Sequence, residues 1–333
     1  MTVENIVQRI NGLLKNAKYE TLVPGNFAQN KSKFCFDLLA KKDDLLFSVK
    51  IVSNIDNLNP DLVHDIKSLS LILKSKPILI GVKNRYQKLE DNTIYVREGL
   101  PFITLNTFEN ILNEKYPHIL ARRGGGIVFL DGKLLKILRE QHSITRKELS
   151  ESLGVTKRTI CSYENESMCP SEKIATKITE ILKNDELFKK IDVVGWSIKE
   201  SIEENTILEE QELSQFESHI QDIINDIGLS SYWYKKGSIP FKLSLYSHSN
   251  EKQLEGFYPL FSGISEDQRN MNEMSFQCLK LFTDLFKKTS LIIIDNNIKI
   301  PELFKQAYIP IVNIKNLEEV DDEEEFIELI HES

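Results

Sequence analysis

The sequence predicts a three-part chain of mixed class, with an all-α domain between two α/β lobes. Three observations lead there. Short apolar runs alternate with helical patterns over residues 1–122 and again over 200–333, while 132–190 shows helical spacing alone; and three consecutive glycines, Gly124 to Gly126, break the first pattern in a linker expected at 123–131. A length of 333 residues gives room for two or three domains with ordinary cores. With 41% hydrophobic and 28% charged residues the composition is globular, which excludes disordered and fibrous classes. No apolar run approaches the roughly 18 residues of a membrane helix, so no membrane partner is expected. Cys35, Cys161, Cys169 and Cys278 are scattered without a C-x-x-C pair, which argues against a disulfide framework or zinc site and fits a reducing cytoplasm. His64, His118, His142, His219, His248 and His331 show no metal-ligand spacing, and no cofactor is expected.

The first lobe opens with Val3, Ile6, Val7, Ile10, Leu13 and Leu14 at helical spacing between charges, an amphipathic core helix rather than a signal peptide. Two strand-like runs follow, "FCFDLLAKK" and "DLLFSVKIVS", joined tightly through Lys42 and Asp43. "PDLVHDIKSLSLILK" is a helix with Pro60 suited to its first turn. "PILIGVK", "TIYVRE" and "PFITL" are strands before the helix "TFENILNE". After Trp196 the chain turns acidic, then returns to α/β patterning and ends in a helix around "DDEEEFIELI". This last lobe has the pattern of the first. "GLPFITLNTFENIL" aligns with "YIPIVNIKNLEEV", and "VKIVSNID" with "YPLFSGIS", each of the latter followed by a helix and a strand. Duplication and coincidence between two α/β domains both remain open, and matching strand orders are what duplication requires.

The central stretch "TRKELSESLGVTKRTICSYEN" carries two helix starts of the same design. Thr145 and Glu148 stand three apart as a capping box, with Ile144 and Leu149 as its hydrophobic staple. Gly154 supplies the left-handed residue that ends the helix. Thr156 is the next cap, and Val155 and Ile160 the next staple. Two short helices joined by a glycine turn form a helix-turn-helix, with Ser150 small where they pass closely. At about 100° per residue, Ile160 and Tyr163 share the inward side. Arg158 and Ser162 point away from Ile160, with Lys157 and Cys161 on the flanks. Helix N-termini favour anions, and Lys157 and Arg158 add full charges there. The chain has a formal net charge of −8, so nucleic-acid binding needs a local basic surface. From Lys133 to Arg158 seven basic residues stand against three acidic ones, which provides it.

"LLKILREQHSITRKELSESLGVTKRTICSYEN" resembles the five-helix Cro/repressor-type (Xre-like) helix-turn-helix domain, with "SEKIATKITEIL" as its fourth helix and Ile174, Ile178, Ile181 and Leu182 facing inward. The resemblance implies duplex-DNA binding. It places Arg146 to clamp phosphate, with Lys147 beside it, and puts Thr156, Lys157, Arg158, Thr159 and Ser162 at the family's contact positions. Arg146 replaces the neutral amide common there, which favours backbone over base contact. Arg158 is the expected main base contact. Over nearly its whole length the chain also resembles a family of archaeal helix-turn-helix transcriptional regulators.

The first lobe resembles the restriction-endonuclease and junction-resolvase fold, in degenerate form. Those enzymes place an Asp on one strand and Glu-x-Lys on the next, so that two carboxylates hold a metal that activates water. Asp37 and Lys50 match, but Ser48 replaces the second carboxylate; Glu4 on the first helix is a candidate substitute. An inactive lobe is therefore expected. "RRGGG" reads as a linker in preference to a phosphate cradle or a minor-groove arm. "DDEEE" reads as a charged helix start, and Trp196, Tyr232, Trp233 and Tyr234 as core or interface. The reading reached is a cytoplasmic, non-enzymatic transcriptional regulator that binds double-stranded DNA, as a homodimer, with transcription machinery as a further partner. The alternatives are a metal-dependent structure-specific nuclease using Asp37 and Lys50, and an interaction scaffold on transcription machinery.

Overall fold

In the computed structural model the described residues are 2–24, 34–196, 213–234, 239, 241–247, 257–267, 273–300 and 309–333. The acidic stretch following Trp196 and His248 lie outside them. In chain order, α1 (Val3–Asn16) leads to β1 (Glu20–Leu22), β2 (Leu38–Lys42) and β3 (Leu45–Asn54), and α2 (Pro60–Ile72) precedes β4 (Lys76–Lys83), β5 (Thr93–Arg97), β6 (Leu100–Ile103) and α3 (Leu105–Leu112). The hairpin β7 (Ile119–Arg122) and β8 (Gly125–Val128) stands before α4 (Gly132–Gln141), α5 (Arg146–Leu153), α6 (Lys157–Glu164) and α7 (Glu172–Leu182). The remaining elements are α8 (Gln215–Asp226), β9 (Ser230–Trp233), β10 (Leu243–Tyr246), β11 (Leu260–Ser265), α9 (Glu273–Phe286), β12 (Ser290–Ile294), β13 (Ile311–Asn313), α10 (Ile314–Leu317) and α11 (Glu323–Glu332). They form two units interleaved in sequence, residues 1–6, 51–57 and 78–198 in one and 7–50, 58–77 and 199–333 in the other. A linear reading does not show this, because strand pairing and helix packing join residues distant in sequence.

In the second unit, α1 contributes the buried Ile10 and Leu14; its start, with Ile6 buried and Val3 exposed, belongs to the first. β1, β2 and β3 form an antiparallel meander with Leu39 opposite Ser48, turned tightly at Asp43, whose φ is 51°. Asn59 caps α2 and Pro60 occupies its first turn, where the missing N–H costs nothing. The later residues add a five-stranded sheet of order β13-β12-β11-β10-β9. Its core gathers Ile220, Ile224, Leu243, Leu260, Ile293, Val312 and Phe326. Phe36 meets Phe282 at 6.1 Å between ring centroids, and Lys41 donates to the Leu285 carbonyl at 3.4 Å. Tyr232, Trp233 and Tyr234 are all buried, and α11 starts at the Asp322 cap with Glu323, Glu324 and Glu325 in its first turn, as expected for a charged helix start.

In the first unit, β4 runs parallel to β6, β6 antiparallel to β5, and β5 parallel to β7. β7 and β8 pair antiparallel with Arg122 opposite Gly125. The segment expected as a linker at 123–131 is thus largely structured: its glycines form the turn and second strand of a hairpin. The reason is local and tertiary at once. Gly124 and Gly125, at φ 96° and 135°, adopt backbone angles that other residues rarely hold, while Ile119, Val128 and Leu130 bury into the helical core. Four α-helices and one 3-10 turn, Asp185–Leu187, make up the five helical elements of the central domain. Its core consists of Leu135, Leu138, Leu149, Leu153, Ile160, Tyr163, Ala175, Ile178 and Leu182, with Ile174 and Ile181 packed at its margin.

The connection order α1-β1-β2-β3-α2-β4-β6-α3 recurs as α8-β9-β10-β11-α9-β12-β13-α10, with β5 as the one insertion among the described residues. β9, β10 and β11 are an antiparallel meander like β1 to β3, and β12 and β13 pair parallel like β4 and β6. Ile80 opposite Ile103 corresponds to Ile293 opposite Val312. Thr104 and Asn313 are the N-cap residues that follow, and Phe108 and Leu317 are fully buried four residues later.

Candidate nucleic-acid interface

The helix pair is assembled from its caps. Thr145 Oγ1 accepts from the Glu148 N–H at 3.2 Å, and Glu148 accepts from the Thr145 N–H at 2.7 Å. Gly154 ends α5 at φ 67°, and the Val155 N–H returns to the Ser150 carbonyl at 2.9 Å. Thr156 Oγ1 then accepts from the Thr159 N–H at 3.1 Å and starts α6. Ile160 is fully buried and Tyr163 nearly so, which fixes the rotation of α6 about its axis. Lys157 and Arg158 are exposed, and Thr159, Cys161 and Ser162 are half-buried. These residues share one short helix start. Thr156 sits there as well, but its oxygen is engaged by the cap, and Lys147 is exposed beside Glu151 at 3.9 Å.

A buried charge network braces this arrangement. Glu164 at the end of α6, its side chain 1% exposed, accepts from Arg139 Nε at 2.6 Å and from Arg146 Nε at 2.7 Å. Arg146 Nη2 lies 2.6 Å from the same Glu164 oxygen, Oε2. Arg139 also donates to the Ile144 carbonyl at 2.9 Å, at the N′ position of α5. One carboxylate thereby ties α4 and α5 to α6. The Glu164 hydrogen bond, followed by its charge, raises the Arg146 pKa above the ordinary arginine value, so this guanidinium is permanently charged. Expected as a phosphate clamp, Arg146 is first of all a brace. Its side chain is 35% exposed, so part of its donor fork still faces outward. Sequence reasoning missed Glu164 as an organiser. Its only signal was an acid directly after Tyr163.

The enzyme-like residues have a different environment. Lys50 Nζ lies 3.1 Å from Asp37 Oδ1 and also donates to the Phe34 carbonyl. Ser48, where a second carboxylate would stand, is buried and within 3.4 Å of the Ser70 hydroxyl and 3.3 Å of the Ser75 hydroxyl. Glu4 is exposed on α1. Asp65 accepts from the Tyr232 hydroxyl at 3.2 Å. Burial, then the nearby Asp65 charge, pushes the Cys35 thiol far above its usual range, which leaves it inert as a nucleophile. Among the described residues no group of three or more His, Cys, Asp or Glu is arranged to hold a metal ion. No described helix is long and apolar enough to cross a membrane.

Comparison with known proteins follows this division of labour. Residues 3–117 match the model of a PD-(D/E)XK superfamily domain, and residues 135–187 match that of a helix-turn-helix. A protein of Methanococcus maripaludis strain C5 named "Putative HTH-type transcriptional regulatory protein" is 31% identical over 302 residues, 89% of each chain. The chain belongs to this family. Proteins of the same name from Methanocaldococcus jannaschii (30% over 297 residues, 89% of this chain and 88% of that one) and Pyrococcus horikoshii (28% over 339 residues, 100% and 98%) extend the likeness. No solved structure matches. This HTH-type regulatory protein therefore joins a PD-(D/E)XK-like domain to a central helix-turn-helix, as its residues imply. Neither matched segment includes the β7–β8 hairpin.

Proposed function

We propose that this chain is a sequence-specific regulator that inserts the start of α6 into the major groove of duplex DNA. The observation that carries the reading is the exposed Lys157–Arg158 pair on a helix held immobile by Ile160, Tyr163 and the Glu164 brace. A rigid element loses little entropy on docking, and a positively charged helix start suits a phosphate-lined groove. Arg158 reads a guanine edge, worth ~1–3 kcal/mol of discrimination. Lys157, Lys147 and the outward donors of Arg146 meet phosphates, and Thr156, Thr159 and Ser162 supply short polar contacts. Two copies of the chain would read half-sites about 34 Å apart, as two-fold readers do. Binding of a selected duplex and of random duplex tests these roles. Arg158→Ala is expected to reduce the preference between them, and Arg146→Ala to weaken both by a similar factor. Equal losses for the two substitutions on both duplexes would overturn the assignment.

The PD-(D/E)XK-like domain is proposed to support the regulator without cutting DNA. A metal site of this type uses two carboxylates, whereas here Ser48 stands at one position and Asp37 is paired with Lys50 at the other. The C-terminal lobe is proposed to be a diverged copy of the first. Support comes from the shared connection order, strand senses and cap position.

A further inference from the structure

The β7–β8 hairpin belongs physically to the helix-turn-helix domain. Ile119, Val128 and Leu130 lie in the same core as Ile160 and Tyr163. The Val128 N–H bonds the Pro170 carbonyl at 3.0 Å, and Ile127 bridges Ser171, the cap of α7. The hairpin therefore stands against the loop that leaves α6, attached at the point where that loop ends. Its two-residue turn is Arg123-Gly124, flanked by Arg122 and Gly125, and all four residues are exposed.

Charge and shape at this tip favour a polyanion. Among the described residues neither Arg122 nor Arg123 is held in an ion pair. Arg97, near the same end of the neighbouring parallel strand β5, is by contrast neutralised by Asp56 at 2.6 Å. Along the chain the nearest acids are Glu114 and Asp131, and Glu172 packs beside Gly126 of the hairpin. After Arg123 come three residues without side chains, so the turn is thin and an approaching phosphate meets little steric bulk there. Reach is sufficient. α6 is about 12 Å long at 1.5 Å per residue. Val128 to Gly124 spans roughly 13 Å of strand. With the intervening loop extended, tip and helix start lie within about one and a half turns of duplex, at ~34 Å per turn.

We propose that the β7–β8 hairpin is a second DNA-contacting element of this domain, its Arg122–Arg123 tip gripping backbone phosphates beside the groove that α6 enters. The proposal rests on the duplex-binding reading of α6 and adds a contact that the helix-turn-helix itself does not contain. It is a positioning contact: it adds affinity and sets orientation without selecting bases.

The test uses the full chain, a duplex carrying its selected site, and the double variant Arg122→Ala/Arg123→Ala. Each phosphate neutralised contributes about 0.9 to the slope of log affinity against log salt, so the variant's slope is expected to be shallower by roughly 1.8. Hydroxyl-radical protection should disappear from one flank of the footprint while the preference for selected over random duplex is retained. Arg122→Gln/Arg123→Gln, which keeps polar side chains on the turn, should behave alike and guards against misfolding. An unchanged slope and footprint in both variants, with binding still lost in Lys157→Ala/Arg158→Ala, would overturn the hairpin proposal alone. Absence of duplex binding by the unmodified chain at low salt would overturn the α6 reading and this one with it.

Discussion

Replacing Glu164 by glutamine keeps the size of the side chain and removes the charge that two arginines share. Arg139, 8% exposed, would then be a buried guanidinium that has lost its buried carboxylate and keeps the exposed Glu140 carboxylate at 3.3 Å. Breaking a buried pair from one side costs about 3–5 kcal/mol. Arg139 retains its bond to the Ile144 carbonyl, and Arg146 at 35% exposure regains water, so a loss near the lower bound, ~3 kcal/mol, is expected. That corresponds to roughly a 150-fold rise in the opening equilibrium of the domain. Amide hydrogen exchange read along α4 to α6 is the suitable assay, because it isolates this domain from the rest of a chain that need not unfold in one step. The double variant Arg139→Met/Glu164→Leu removes both buried charges and should recover most of the loss. Exchange in Glu164→Gln within about threefold of the unmodified chain would show that the network does not hold α6. A double variant less stable than the single one would refute the electrostatic account of the brace.

Two further outcomes follow from the same structure. The N–H and hydroxyl of Thr145 hold the Glu148 carboxyl below the ordinary glutamate value of 4.5, and Lys189 with the Gly132 N–H does the same for Glu166. Both folded values are lowered, so these contributions are complete above 4.5 and lost as pH falls through the depressed values. The helical signal of the central domain should be flat around neutrality and decline only below that point; a decline beginning above it, unaltered by Glu148→Gln, would contradict this. Supercoiled plasmid or a four-way junction incubated with magnesium or manganese should remain uncut, and metal-dependent cuts lost in Lys50→Ala would establish the nuclease instead.

The central domain was legible because its signals are local. Thr145 with Glu148, Gly154, and Thr156 with Ile160 each act within one turn of helix, so spacing alone defines the helix pair and the face that Arg158 occupies. The brace was not legible, since Arg139 and Glu164 are 25 residues apart and neither has a pattern that announces burial. The hairpin was misread for a related reason. Glycine runs lack side chains to reveal strand alternation, and the pairing depends on Pro170 and Ser171, far along the chain. In the flanking lobes, the matching strand and helix patterns were visible as sequence; the interleaving of the two units required coordinates. The loss of the second carboxylate at Ser48 was readable directly, but the serine cluster that surrounds it was not.

Whether α6 reads guanine in the major groove is tested most directly by methylation interference on the selected duplex. N7-methylguanine at one position should block binding of the unmodified chain, while Arg158→Ala, weaker overall, should be indifferent to methylation there. Interference that persists unchanged in Arg158→Ala, or that arises only from minor-groove adenine methylation, would contradict the placement of this helix.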